Sequence, residues 1–406
     1  MDDSFYFYAK DDIVKNKKWL NKNVTAMGFT SLCSDTSHEM ATSILPAFLT
    51  ELVGASAPQL LGLITGLSDL LSSAAKMLSG WLSDKLKKRK PLIVFGYFLT
   101  GLFMGLIGFA RNWIEILIYK TLGWIGRGTR EPPRDALLSE SVDKKFYGHA
   151  FGFHRAMDSL GAIIGPLLAF FLVPLIGFRN IFFLSFIPGM LSVIVILKIK
   201  EKRRKYKNQN KSFILDIKSL PKEFKKFLFI MFIFGIGNFH KSLLILKVQQ
   251  SLTPTSGIII AASFAVLFYT IRNFAQAVSD YIVGGLSDKI SKKILLSVFG
   301  FSLFGLASLG FIYTTTSFSY FIILFILSGV SASGVAIEKA YAAELLPDDV
   351  RGTGYGILNT VDGMGDFISS FVVGTVWTIL SPSIAFTYGA IISFIAAFLL
   401  LSMMKK

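Results

Sequence analysis

The stretch Gly80-Trp81-Leu82-Ser83-Asp84-Lys85-Leu86-Lys87-Lys88-Arg89-Lys90 lies between two apolar runs, each long enough to cross a bilayer, and it comes back once. At residues 284–293 the chain reads Gly284-Gly285-Leu286-Ser287-Asp288-Lys289-Ile290-Ser291-Lys292-Lys293, again between apolar runs, so Asp84 and Asp288 stand 204 residues apart. An offset of about half the chain, if it holds elsewhere, means two copies of one unit. It holds without a gap. Gly148, Gly152, Asp158 and Gly161 match Gly352, Gly356, Asp362 and Gly365, and Ala136 and Glu140 match Ala340 and Glu344, every pair 204 residues apart.

The flanking runs set the class. With 406 residues, 52% hydrophobic content, 14% aromatic residues and a mean hydropathy of +0.57, the chain has too much apolar surface for a water-soluble protein of two or three domains. Apolar runs of spanning length cover 24–49, 59–81, 91–110, 114–138, 148–176, 180–197, 227–246, 257–284, 294–313, 320–342, 353–379 and 384–403. Since about 20 helical residues cross the hydrocarbon and an open sheet edge cannot survive there, these predict twelve transmembrane helices and an all-α membrane protein. Six spans per copy is an even number. Both copies then enter from the same face, and the repeat is parallel, with two pseudo-symmetric six-helix bundles at 24–197 and 227–403.

The charge of +16 would point to nucleic acid in a soluble chain. Here the basic residues sit in short connections, so membrane orientation explains them and no nucleic-acid partner is expected. If the N-terminal segment 1–23, which shows no signal-peptide pattern, lies in the cytoplasm, cytoplasmic segments hold 30 of the 42 Lys and Arg. The external connections hold three, Arg111, Arg179 and Lys247. Both termini are therefore expected inside, in the cell membrane. The linker 198–226 combines the basic block Lys202-Arg203-Arg204-Lys205 with the amphipathic Phe213-Ile214-Leu215-Asp216-Ile217, a pattern suited to the inner membrane surface. A single cysteine, Cys33, excludes a disulfide framework and a cysteine metal site.

Twelve spans as six plus six, a basic central loop and the loop after the second helix together resemble the major facilitator superfamily over essentially the whole length. The superfamily's loop signature, Gly-x-x-x-Asp-Arg/Lys-x-Gly-Arg/Lys-Arg/Lys, is matched by Gly80, Asp84, Lys85, Lys88 and Arg89, and echoed by Gly284, Asp288 and Lys289. Lys87 and Ser291 stand where the signature has glycine. The resemblance implies that these residues gate the cytoplasmic side. An aspartate at a helix end can meet the partly positive N-terminus of a helix, or an arginine, only when that side is closed. A topogenic basic loop is the plainer alternative, but it needs no aspartate.

Ionisable residues inside a membrane are costly enough to be functional candidates. Ser31, Asp35, His38, Glu39 and Thr42 fall on one side of the first helix near mid-bilayer; Arg127, Arg130, Glu131 and Arg134 share a face of the fourth, and Asn359, Asp362 and Asp366 a face of the eleventh. His240 and Lys241 are mid-span in the seventh helix, and Arg272 and Asn273 in the eighth. In the superfamily, helices one, four, seven and ten line the central cavity, which selects Asp35, His38, Glu39, Arg127, His240 and Lys241. Arg127 and Lys241 can neutralise an anionic substrate, whereas Asp35, Glu39, His38 and His240 can carry protons. Mutual pairing as glue between helices is the competing reading for each of them. Many proton-coupled exporters of the superfamily carry an arginine early in the fourth helix; Lys120 stands there in this chain. Pro132 and Pro133 remove backbone donors from that helix and predict a kink or break at the cavity or its inner mouth.

Other chemistries find no support. His38-Glu39 lacks the second histidine of a helical zinc site, since residue 42 is Thr. Gly352-Thr353-Gly354-Tyr355-Gly356 opens a membrane helix rather than following a strand, and there is no Walker sequence, so neither metal, nucleotide nor other cofactor is expected. A membrane enzyme would need a nucleophile or metal constellation that the sequence does not show. The expectation is a monomeric secondary transporter moving a small organic solute by alternating access. Proton-coupled efflux of a drug or metabolite is the first reading, and uptake or exchange of an organic anion the alternative.

Overall fold

The computed structural model describes residues 19–86, 88–201, 220–287, 294–347 and 351–403. Their regular structure is helical throughout, as spanning segments require when every backbone group must be satisfied internally. The first four helices are α1 (Lys22–Val53), α2 (Ala57–Leu86), α3 (Lys90–Leu106) and α4 (Trp113–Glu140). The helix Tyr147–Ile196 holds two spans, α5 (147–176) and α6 (178–196), which meet at Gly177. Span α7 (222–256) comprises Lys222–Gly235, an interruption, and the start of Ser242–Ser287, whose remainder is α8 (258–287) beyond Gly257. Gly177 and Gly257 both have φ of +73°, a backbone that L side chains rarely adopt. The chain ends with α9 (Ile294–Gly310), α10 (Phe318–Leu345), α11 (Arg351–Ile379) and α12 (Pro382–Ser402).

Among the described residues this makes twelve helical spans in two bundles of six. The 204-residue offset survives in the helix bounds, since α3 and α9 begin and end 204 residues apart. Judged on length and hydropathy alone, five described stretches are long and apolar enough to cross a membrane. Three of them, of 62, 50 and 43 residues, run through more than one span. Spans α4 and α11 fall short because they carry the charges that mark them as functional candidates.

Alternation of twelve spans puts the start of α1 and the end of α12 on one face, here called the terminus face; the α1–α2 and α7–α8 connections lie on the far face. Across the bundles α2 packs on α11, α5 on α8 and α1 on α7. Glycines allow the closest approach: a Cβ on Gly66 of α2 would stand 2.9 Å from the Cα of Phe367 on α11. Towards the far face a single apolar core joins both halves, with Phe48, Leu49 and Leu61 packed in one cluster with Leu243, Leu246, Val373 and Trp377. Towards the terminus face there are two separate cores. Val24, Ile93, Tyr97 and Leu138 belong to the first half, and Phe224, Phe227, Phe301 and Leu400 to the second. The halves are therefore sealed at the far face and parted at the terminus face.

The break expected at Pro132-Pro133 does not occur, and α4 is helical from end to end. Pro132 has no N–H for the Gly128 carbonyl one turn back; the Ser79 hydroxyl of α2 donates to that carbonyl at 3.2 Å instead. A neighbouring hydroxyl thus serves one of the two carbonyls that Pro132 and Pro133 leave without a backbone donor, and the helix runs on.

Between α2 and α3 the loop is bound to its own bundle. Arg89 pairs with Glu140 at the end of α4. The Glu201 carboxylate accepts the Arg89 and Lys90 amides at 2.7 and 3.2 Å, and the Lys90 ammonium donates to the Leu197 and Ile199 carbonyls at 2.7 and 2.8 Å. The Lys85 ammonium lies 4.8 Å from the Trp81 ring centroid, and Lys88 is exposed. Gly80 and Gly284 lie near the terminus-face ends of α2 and α8. The Asp84 side chain, Asp288, Lys289 and the 213–217 stretch lie outside what is described.

Candidate functional site

The organising feature is the interruption of α7 at residues 236–241, about halfway along the span. Gly235, Gly237 and Asn238 weaken the helix there, and Gly235 meets Gly365 of α11 so closely that a Cβ on it would lie 3.0 Å from the Gly365 Cα. Side chains from α11 and α12 take up the freed backbone groups. Tyr388 donates to the Ile236 carbonyl at 2.7 Å, Ser369 to the Asn238 carbonyl at 3.1 Å, and the His240 amide donates to the Ser370 hydroxyl at 3.0 Å. Non-helical backbone at this depth is tolerated where protein or a cavity receives it. The result is that His240 and Lys241 are turned towards the first half.

There they meet the polar stripe of α1. The Lys241 ammonium donates to Glu39 Oε1 at 3.0 Å, and the Tyr269 hydroxyl of α8 donates to Glu39 Oε2 at 2.6 Å. Both carboxylate oxygens of Glu39 are thus held by the opposite bundle through charge-assisted bonds. His38 lies 3.7 Å from Glu39 and 3.5 Å from Asp35, with its Nδ1 against the Ser34 carbonyl at 2.9 Å. Asp35 accepts no hydrogen bond among the described residues; its nearest guanidinium, Arg130, is 3.9 Å away. Arg130 is fully buried and stacks 4.2 Å over the Tyr97 ring. One turn towards the terminus face, the Ser31 hydroxyl bonds both Asp158 and His154 of α5.

A second thread crosses between the halves. Trp124 of α4 donates to Asp69 of α2 at 2.7 Å, and the other Asp69 oxygen is 3.9 Å from His240. The buried Lys120 sits 3.1 Å over the Trp124 ring and donates to Thr42 at 3.3 Å. Arg127 and Glu131 pair at 3.0 Å, and Glu131 also takes Lys76 of α2 at 2.7 Å.

Beside this network is a cavity of about 310 Å³. Of the residues predicted from sequence, His240, Lys241, Arg272 and Asp366 line it; Glu39 adjoins it through Lys241. Asp35, His38 and Arg130 lie behind that layer, while Arg127 and Glu131 belong to the α2–α4 pairings. Asp362 lies on α11 one turn from Asp366. The wall comes mainly from α7, α8 and α10, with single residues from α5, α9 and α11, rather than evenly from helices one, four, seven and ten, because Arg272, Gln276 and Asp280 of α8 face into it. With Arg155 and Asp280 near the terminus-face ends of their helices, the cavity runs from the break in α7 towards the side where the two cores part.

Sequence reasoning missed Asp69, Tyr269 and Trp124. Asp69 is a lone acid within an apolar run and the intramembrane-charge rule would have found it; Tyr269 and Trp124 carry no signal until a partner is in place. Chemically, the arrangement can hold a charged or polar solute in the second half while carboxylates of the first half gain or lose a proton.

Similarity to known proteins runs over the whole chain. An MFS-type transporter of Methanocaldococcus jannaschii, MJ1317, otherwise uncharacterized, is 36% identical over 390 residues, 95% of this chain and 96% of its own. The multidrug resistance protein MdtG of Escherichia fergusonii is 26% identical over 319 residues, covering 75% of this chain and 74% of that one. Among solved structures, a mutant of the nucleoside transporter NupG superposes with a TM-score of 0.79 at 13% identity, over 95% of this chain and 100% of that one, a likeness of fold. The Major Facilitator Superfamily pattern matches residues 27–270 and 227–405. With that match and the relative at 36% identity, the chain belongs to the Major Facilitator Superfamily of transporters.

Proposed function

We propose that this protein carries a small organic solute across the membrane by alternating access, with transport coupled to protons. The observation that carries the reading is the Lys241–Glu39–Tyr269 junction, a buried polar contact between the two bundles at mid-depth and beside the cavity. Buried charges that bridge two moving bodies make their arrangement depend on protonation. Asp35 can take a proton without giving up a hydrogen bond, and through His38 it touches the Glu39 junction. Competition between a proton and the solute for this shared network supplies the coupling.

The described conformation has its cavity towards the terminus face. With the positive-inside rule placing both termini in the cytoplasm, this is the inward-facing state of a monomeric cell-membrane carrier, with 24–197 and 227–403 as its two moving domains and 198–226 joining them. The loop signature at Gly80, Asp84, Lys85, Lys88 and Arg89, with Gly284, Asp288 and Lys289, is the gate that holds the inner side shut in the other state. Similarity to a multidrug resistance protein supports export of a drug or metabolite. A second reading, uptake or exchange of an organic anion, is favoured by Arg272, a buried cation of the cavity wall whose hydrogen-bond partners among the described residues are all neutral.

The test is flux in proteoliposomes under an imposed pH gradient, with cationic, neutral and anionic solutes offered in parallel. Accumulation should follow the gradient in the wild type and lose that dependence in Asp35→Asn. Flux that ignores both the gradient and the substitution overturns proton coupling through α1.

A further inference from the structure

Arg272 is 9% exposed, and its guanidinium meets the Ser328 hydroxyl at 3.3 Å, the Asn273 amide oxygen at 3.3 Å and the Gln276 amide oxygen at 3.0 Å. No carboxylate among the described residues comes within 4 Å of it. Glu39 and Asp280 act on it only from beyond that distance, so the guanidinium is buried without a carboxylate in contact and its desolvation is only partly offset, and it lies on the wall of a cavity. The other cations there differ. Lys241 already gives one donor to Glu39, and Arg155 shares its end of the cavity with Asp280. Asp366 of α11 lines the cavity too, more than 4 Å from the Arg272 guanidinium. On the apolar side Phe234 and Phe239 both pack against Phe304, with ring centroids 6.2 and 5.3 Å apart, and all three rings line the same space.

Resting on the transporter reading above, we infer that the solute is an organic anion, a carboxylate with an aromatic or other flat apolar body. Its acidic group sits on Arg272 with Lys241 as the second cation, and its body lies against the Phe234–Phe239–Phe304 wall. A planar guanidinium takes a carboxylate in two parallel hydrogen bonds, which fixes the head group, and the rings then select the body. Arg272 is thus a substrate-binding residue rather than a link between α8 and α10.

Thermal stabilisation of the purified chain by benzoate and phenylacetate, each against its amide and against benzylamine, tests the charge requirement on the unaltered protein. The carboxylates should stabilise and their amides and the amine should not. Arg272→Gln, checked for a monodisperse elution profile, should weaken carboxylate binding roughly 10- to 100-fold, and Arg272→Lys should restore part of it. If neither carboxylate outperforms its amide, if benzylamine binds better, or if Arg272→Gln keeps full carboxylate affinity, the assignment is overturned. Proteoliposome flux separates this outcome from the reading beneath it. Gradient-driven movement of neutral or cationic solutes, indifferent to Arg272, removes the anion site and leaves the transporter. Arg272-dependent carboxylate binding with no flux of any solute removes the transporter and leaves the site.

Discussion

Replacing Glu39 by Gln should release the far-face closure. The Lys241 ammonium and the Glu39 carboxylate are 3.0 Å apart, which at an effective dielectric of about 20 is an attraction of roughly 5.5 kcal/mol. Gln keeps an ion–dipole hydrogen bond, worth about 1.5–3 kcal/mol, so the loss is about 3 kcal/mol. That loss falls on the conformation in which α1 and α7 touch. It corresponds to a shift of roughly 100-fold in the ratio of closed to open far face. Spin labels at Ser56→Cys and Thr255→Cys, both on the far face, in a Cys33→Ser background report the separation of the bundles. Glu39→Gln should add a population at longer distance. Adding Lys241→Gln to Glu39→Gln should change little more, because the two residues act as one contact. An unchanged distance distribution in Glu39→Gln, or additive effects in the double variant, would show that the junction does not hold the halves together.

Two further outcomes follow from the same geometry. Ser79→Ala leaves the Gly128 carbonyl without the donor that stands in for Pro132 and should cost about 1 kcal/mol of stability, seen as a lower midpoint of thermal unfolding in detergent; an unaltered midpoint would mean that water or another group serves the carbonyl equally well. Asp84→Asn should shift the resting population towards opening at the terminus face, read as faster labelling of cysteines introduced there; equal labelling on both faces in the variant and the wild type would remove Asp84 from the gate.

Sequence reasoning reached the intramembrane charges one by one but not their pairing. Asp35, Glu39, Arg130, Lys241 and Arg272 stand out because an ionisable side chain in hydrocarbon is conspicuous wherever it occurs. That Glu39 takes Lys241, 202 residues away, depends on how the bundles dock. The helix interruption shows the same divide. Pro132-Pro133 predicts a kink or break, but α4 stays helical, with Ser79 of the neighbouring helix serving one of the two carbonyls left without a donor. The interruption occurs instead at 236–241, where partners on α11 and α12 take up the freed backbone groups.

Twelve spans, their grouping by six and the repeat were legible in the chain alone. Hydrocarbon thickness fixes the length of an apolar run, and duplication leaves a constant offset, and both act along the sequence without reference to distant contacts. Docking of the two bundles decided the rest. Whether the halves part at the terminus face, and that Glu39 is bonded across the bundles while Asp35 keeps only its ion-pair contacts to His38 and Arg130, are matters of energies between residues far apart in sequence. Those energies exist only once the second bundle is packed against the first.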